Sequence, residues 1–310
     1  MAITTNTTRT TPSDVEFKVG DANDKEWDET TQKGAVDGLF RSCMTAIRSS
    51  HKSALEVRTG LIVAGLFTDK RIYREAIALF YTVTRELEIK MKSAEFRENV
   101  KDDTIELEVL EKMQRYGEKF YFTDAYEKDL RVLFTPETWK TEVQEIVAAR
   151  PAAVAFRDHI RSMKAPTDLA AALFSLWGAL VIGGGAAARR RAKALCGDDV
   201  LNLFEKVSGP GREKRKAEFI AFFDSLALPA SPTFDKITVA TELCMEKSNA
   251  MLRSISANPW WLKWVGLVVV ATPAIALALW LGPPSKGEDS NWTSGLFAFL
   301  SRKPPHTLAM

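Results

Sequence analysis

The stretch FRSCMTAIRSSHKSALEVRTGLI, residues 40–62, has the hydrophobic spacing of an amphipathic helix. Its apolar stripe consists of Phe40, Cys43, Met44, Ile47, Ala54, Leu55, Leu61 and Ile62. His51 lies in this stripe, between Ile47 and Leu55. An imidazole there loses water on one edge, so it needs a hydrogen-bond partner or a metal bound to a ring nitrogen. The pattern leaves both interpretations of His51 open.

The composition is that of one large globular domain with appendages, because 46% of the 310 residues are hydrophobic and 26% are charged. The net charge of +2 comes from nearly balanced totals and provides no basic field, so we expect no nucleic-acid partner. Cys43, Cys196 and Cys244 are far apart in the sequence and form no CxxC pair. This spacing argues against a disulfide framework or a zinc site and fits a reducing compartment.

The two ends of the chain differ from its middle. Residues 1–33 are rich in Thr, Asn and Asp without an apolar period, which predicts a disordered segment with no secretory signal. Residues 264–281 carry no charge and are bracketed by tryptophans, which predicts a transmembrane helix rather than a buried core helix. We therefore expect a tail-anchored protein with a cytosolic domain, a linker at 253–263 and a short luminal tail at 282–310.

The middle of the chain has the helical period almost throughout and no strand-period run of any length. The clearest helical segments are residues 70–91, 104–116, 124–134, 148–163 and 235–255. Prolines and glycines interrupt the pattern near residues 135, 165, 210 and 230. These features predict one all-α domain over residues 34–252.

One segment of this domain, LAAALFSLWGALVIGGGAAA at residues 169–188, is uncharged throughout and contains three consecutive glycines at 183–185. By length it is also compatible with a second membrane span, followed by a run of arginines as a cytoplasmic stop. Each glycine in a helix costs roughly 1 kcal/mol relative to alanine. The glycines therefore indicate that the backbone there closely approaches another helix or a flat ligand.

Several segments, in their order along the chain, resemble the heme oxygenase family. They are AIRSSHKSA (46–54), YREAIALFYTVTRELEIKM (73–91), FTDAYEKDLRVLF (122–134), WGALVIGGGAAARRRAKAL (177–195) and RKAEFIAFFDSLAL (215–228). The resemblance covers residues 34–252 and implies a heme oxygenase-like helical domain. A membrane anchor after this domain is also the arrangement of eukaryotic family members, which implies the endoplasmic reticulum membrane.

The resemblance also assigns site residues. It implies that His51 is the proximal ligand of the heme iron and that the backbone at Gly183 and Gly184 lies over the other face of the heme, where catalysis takes place. Arg48 and Lys216 match family cations that meet the heme propionates. Ordinary solvated charge is an equally good explanation of these two cations.

The sequence departs from the family at two points. A family arginine is missing near Ile220, and the family's aspartate before the glycines is replaced at the candidate positions Leu180 and Val181. Two functions therefore remain open. The favoured one is oxidative opening of heme to biliverdin, CO and ferrous iron, with O₂ and with electrons from NADPH through a membrane-bound reductase, because His51 and the glycines are both retained. The alternative is a non-catalytic heme-binding or structural membrane protein.

Overall fold

The structure is a computed structural model that describes residues 38–48, 50, 65–182 and 185–255. These residues fall in a compact unit comprising residues 1–256, and residues 257–310 are a separate unit outside the described ranges. The predicted N-terminal disordered segment and the predicted linker beyond residue 255, anchor and luminal tail therefore lie outside the described residues, as do His51, Gly183 and Gly184.

All regular structure in the described ranges is helical. The helices are α1 (Leu39–Ala46), α2 (Lys70–Lys92), α3 (Ala94–Glu98), α4 (Thr104–Phe120), α5 (Thr123–Leu133), α6 (Trp139–Ala148), α7 (Pro151–Ser162), α8 (Pro166–Leu173), α9 (Ala179–Val181), α10 (Gly185–Cys196), α11 (Asn202–Ser208), α12 (Arg212–Asp224) and α13 (Pro232–Arg253). A π-helical turn, Phe174–Gly178, joins α8 to α9, and a 3₁₀ turn, Asp198–Val200, precedes α11.

The helices predicted from periodicity at residues 70–91, 104–116, 124–134 and 235–255 are α2, α4, α5 and α13. The segment predicted at 148–163 begins later, because Ala148 ends α6 and Pro151 starts α7. A proline disfavours helical backbone at the residue before it, and Arg150 is accordingly outside both helices. Helix α6 was not predicted as a separate element.

Residues 166–181, here called the bulged helix, form the centre of the domain. The side chains of residues 169–173 are completely buried, and α8 packs against α13, α4 and α2. Helix α13 also contacts α1 and α7, so it links the first helix to the core. In the described part of the chain, no helix combines the length and the apolar character that crossing a bilayer requires.

Four carboxylates hold the first turns of helices that are distant in sequence. They accept backbone N–H groups as follows: Glu88 from Phe122 (2.6 Å), Glu106 from Thr167 (2.9 Å), Asp129 from Leu203 (3.0 Å) and Asp224 from Phe40 (2.7 Å). The first turn of a helix has unpaired N–H groups and a positive dipole end, and both favour a carboxylate. Burial raises the pKa of Glu88, Asp129 and Asp224, while these hydrogen bonds act in the opposite direction. A structural role thus accounts for these carboxylates.

Candidate functional site

Helix α1, which leads to His51, is fixed at its start by helix α12. The Asp224 carboxylate accepts the backbone N–H of Phe40, and Gly38 precedes this contact. A Cβ atom on Gly38 would lie 2.6 Å from Asp224 Oδ1, which is closer than real Cβ contacts come. Glycine at position 38 therefore allows the carboxylate to reach the first turn of α1.

Helix α13 contacts the same stretch of chain at two further points, Cys43 and Ser50. Thr241 Oγ1 lies 3.5 Å from Cys43 Sγ, and burial raises the pKa of the Cys43 thiol to about 11, so the thiol is neutral at physiological pH. Further along, Asn249 Nδ2 donates a hydrogen bond of 2.9 Å to the backbone carbonyl of Ser50. The residue immediately before His51 is thereby tied to the core.

A cluster of aromatic rings joins α1 to the bulged helix and to α12. The Phe40 ring lies 5.4 Å from Phe174 and meets Phe219 and Phe223 nearly edge-on at 6.3 and 6.4 Å between centroids. Such tilted and edge-to-face pairs are favourable beyond the area they bury. The segments that the resemblance assigned to opposite faces of a heme are therefore in direct contact at Phe40 and Phe174.

The π-helical turn in the bulged helix was not predicted from the sequence. Trp177 in this turn is fully buried against the rings of Tyr121 and Phe122, and its indole Nε1 has no hydrogen-bond partner among the described residues. A π turn inserts a residue into a helix and frequently occurs at functional sites. Local periodicity over a uniformly apolar run contains no signal that would have located it.

The end of the bulged helix is apolar at the positions where the resemblance to heme oxygenases implies an acid. Val181 is 2% exposed, and Leu180 is half-buried. At the third of the consecutive glycines, a Cβ on Gly185 would lie 2.5 Å from Ser208 Oγ, so the backbone at the start of α10 approaches α11 closely. For Gly185, the predicted close approach is therefore to another helix.

The two predicted propionate-binding cations lie on neighbouring helices. Arg48 is exposed just after α1, whereas Lys216 on α12 is largely buried, with its Nζ 3.5 Å from Glu213 Oε1. Arg48 follows Phe40 by about two helical turns, or ~12 Å of helix. Lys216 precedes Asp224 by about the same distance. The structure thus places Arg48 just after, and Lys216 on, two helices that contact each other.

Other chemically active side chains in the described ranges do not form a competing site. No group of three or more His, Cys, Asp or Glu side chains there could hold a metal ion. His159 lines a surface groove of about 370 Å³ with Asp168 and Cys244, and burial lowers its pKa. His159 therefore lies in a groove of its own and can serve as the control histidine in tests of His51.

Comparison with known proteins identifies similar folds but no similar sequences. No family model matches the sequence, and no curated protein matches it. Among solved structures, the fold is similar to heme oxygenase 2 from Chlamydomonas reinhardtii without heme, with a TM-score of 0.56 and 20% identity over 71% of this chain and 98% of that one. It is also similar to heme oxygenase-1 from the cyanobacterium Synechocystis sp. PCC6803 in complex with heme, with a TM-score of 0.57 and 20% identity over 76% of this chain and 99% of that one. The chain therefore has a heme oxygenase-like fold, as its ordered motifs predicted.

Proposed function

We propose that this protein binds heme through His51 and opens it to biliverdin, CO and ferrous iron. The observation that carries the proposal is that nearly the whole length of two heme oxygenases, one of them solved with heme, matches this fold. The sequence of this chain has a histidine in the apolar stripe of the amphipathic stretch predicted at residues 40–62. We further propose that residues 264–281 anchor the protein in the endoplasmic reticulum membrane, with the helical domain in the cytosol.

Two features of the described residues support a flat, apolar ligand with a polar edge. Helix α1 and the bulged helix meet in an aromatic cluster. The buried polar atoms that have no partner among the described residues include Trp177 Nε1 and Asn249 Oδ1. Unpartnered buried groups are uncommon in folded proteins and are frequently associated with a ligand, water or function. We take these features as support for a site that is completed by a ligand.

In this proposal each residue has a separate task. His51 would supply the imidazole for the iron, Arg48 and Lys216 would neutralise the propionates, and the backbone at Gly183 and Gly184 would cover the opposite face. Heme, when bound, supplies the iron that activates O₂, with electrons from NADPH through a membrane-bound reductase. Because the sequence has no carboxylate between Asp168 and Asp198, backbone carbonyls near the glycines would order the water on that face.

The first prediction concerns the iron ligand and is tested by titrating the full chain with hemin. The wild type should give a shifted Soret band that saturates at one heme per chain, and His51→Ala should lose the shift, because no other imidazole lies in that stripe. His159→Ala is the matched control and should behave like the wild type, since His159 lies in the separate groove on α7. A spectrum that is the same in His51→Ala and the wild type would falsify the ligand assignment.

The second candidate function is heme binding without turnover. It is favoured by the apolar side chains at Leu180 and Val181, where the family carries the acid that delivers protons. The two functions differ in product formation: the heme-loaded wild type, given a reductase, NADPH and O₂, should form biliverdin if the protein is an enzyme. If heme stays bound through His51 and no biliverdin accumulates, heme binding alone is the function.

A further inference from the structure

A groove on the surface of the helical domain lies between α7, the first turn of α8 and α13. Its volume is about 370 Å³, which is in the range of small-molecule sites, roughly 300–1,000 Å³. His159 and Met163 line it from α7 and its end, Asp168 from α8, and Leu243 and Cys244 from α13. None of these residues has a task in the proposed opening of heme, so the proposed function leaves the groove without a role.

Two side chains of opposite charge line this groove. Lys164 is exposed and Asp168 is half-buried, and neither forms an ion pair or a side-chain hydrogen bond with any described residue. Burial, and next the Lys247 ammonium, lower the pKa of His159, while Asp168 acts in the opposite direction. The imidazole is therefore neutral at physiological pH and adds a hydrogen-bonding group without a further charge. The groove thus offers one cation and one anion, neither of them paired within the described part of the chain.

The buried part of the groove is apolar. Met163 is 6% exposed and Cys244 is 1% exposed, while Leu243 extends the apolar surface outward and is 45% exposed. Burial, and next the Asp168 carboxylate, raise the pKa of the Cys244 thiol to about 12, so this thiol stays neutral. A methionine thioether makes favourable contacts with aromatic rings. This surface is therefore suited to the aromatic part of a ligand.

We propose that the groove binds a free aromatic amino acid, whose ammonium group meets Asp168, whose carboxylate meets Lys164 and whose ring packs on Met163. A ligand with both charges pairs both side chains, whereas a ligand with one charge leaves the other side chain unpaired. Hydrogen bonds between charged groups are roughly twice as strong as those between neutral groups, so the two charges decide which molecules bind. Because the site involves neither His51 nor heme, it does not depend on the proposed function.

The test measures binding to the full chain in detergent by isothermal titration calorimetry. The probes are L-tryptophan, tryptamine, which lacks the carboxylate, and indole-3-propionate, which lacks the ammonium group. Asp168→Asn and Lys164→Gln each remove one charge while nearly keeping the size of the side chain. Glu242→Gln is the matched control, because Glu242 is an exposed carboxylate on α13 that does not line the groove. Circular dichroism checks that each variant is folded.

We expect the wild type to bind tryptophan about 10-fold more tightly than tryptamine or indole-3-propionate, because each of these loses one charge-assisted hydrogen bond. Asp168→Asn should weaken the binding of tryptophan and tryptamine about 10-fold without weakening that of indole-3-propionate. Lys164→Gln should weaken the binding of tryptophan and indole-3-propionate without weakening that of tryptamine, and Glu242→Gln should match the wild type.

The proposal is overturned if the wild type does not bind tryptophan or binds it no more tightly than the two truncated probes. It is also overturned if a folded groove variant weakens the binding of all the probes equally. The comparison of probes on the wild type decides the question even where a variant does not fold.

Discussion

At Gly38 the absence of a side chain gives the Asp224 carboxylate access to the first turn of α1. A methyl group there would lie 2.6 to 2.7 Å from the carboxylate atoms, so either the carboxylate or the helix must move. By contrast, a Cβ on Gly178 in the π turn would meet the Phe219 ring at 3.6 Å, an ordinary contact. These two glycines therefore have different reasons to be present.

This difference gives the second prediction. Gly38→Ala should lower the free energy of unfolding by about 1–2 kcal/mol, the usual cost of losing a helix cap. Gly178→Ala is the control and should raise it by up to about 1 kcal/mol, because alanine is the better helix former. Urea unfolding followed by circular dichroism measures both, and equal effects of the two substitutions would contradict the assignment.

The third prediction concerns the missing acid. Leu180→Asp should raise the rate of biliverdin formation at unchanged heme occupancy, because Leu180 is half-buried and its replacement keeps access to water. Val181→Asp should instead destabilise the fold by several kcal/mol, since Val181 is 2% exposed and an unpaired carboxylate would be buried there. Absorbance during turnover and unfolding curves measure the two effects. If neither the wild type nor Leu180→Asp forms biliverdin, the enzyme proposal is wrong.

At the scale of elements, the helices are held together by carboxylates that each serve a helix other than their own. Asp129 on α5 accepts N–H groups from Asn202 and Leu203 at the start of α11, and also the Asn202 side-chain amide. Burial nevertheless raises the pKa of Asp129, because desolvation of its charge outweighs these hydrogen bonds. The contact fixes the start of α11, although it removes the Asp129 charge from water.

The fourth prediction follows from that raised pKa. A carboxyl whose folded-state pKa exceeds the unfolded value contributes stability that is fully present below the unfolded pKa and is lost as the pH rises through the folded pKa. The wild type should therefore lose some stability from about pH 4 upward through Asp129. Asp129→Asn should be less stable at every pH, because one hydrogen bond is lost, but its deficit should shrink as the pH rises. Urea unfolding over this range measures the deficit, and one that grows with pH would contradict the assignment.

At the scale of the whole molecule, the helical domain and the apolar run after it are separate features of one chain. Helix α13 ends at Arg253, and the uncharged run begins at residue 264. The other uncharged segment, which starts at residue 169, is part of the helical domain, because its residues 169–173 are buried against neighbouring helices. The proposed membrane attachment therefore rests on residues 264–281.

The fifth prediction tests this attachment. The full chain should remain in membranes after a carbonate wash, whereas deletion of residues 260–310 should move the protein to the soluble fraction with the helical signal of the domain retained. The physical reason is that about 20 apolar residues suffice to span a bilayer. Deletion of residues 1–33 is the control and should leave the protein in the membrane. A truncated chain that resists the wash would require a second attachment site.

The sequence by itself determined the helical class, the positions of α2, α4, α5 and α13, and the order of motifs that resembles heme oxygenases. It could do so because an amphipathic helix records in its own residues which of its sides is apolar. The tertiary structure decided which helix covers each apolar face, where the π turn lies, and which carboxylate reaches which helix start. The contacts of Asp224 with Phe40 and of Asn249 with Ser50 span 184 and 199 residues, and no local period specifies such partners. They form only when packing of the core brings distant helices together.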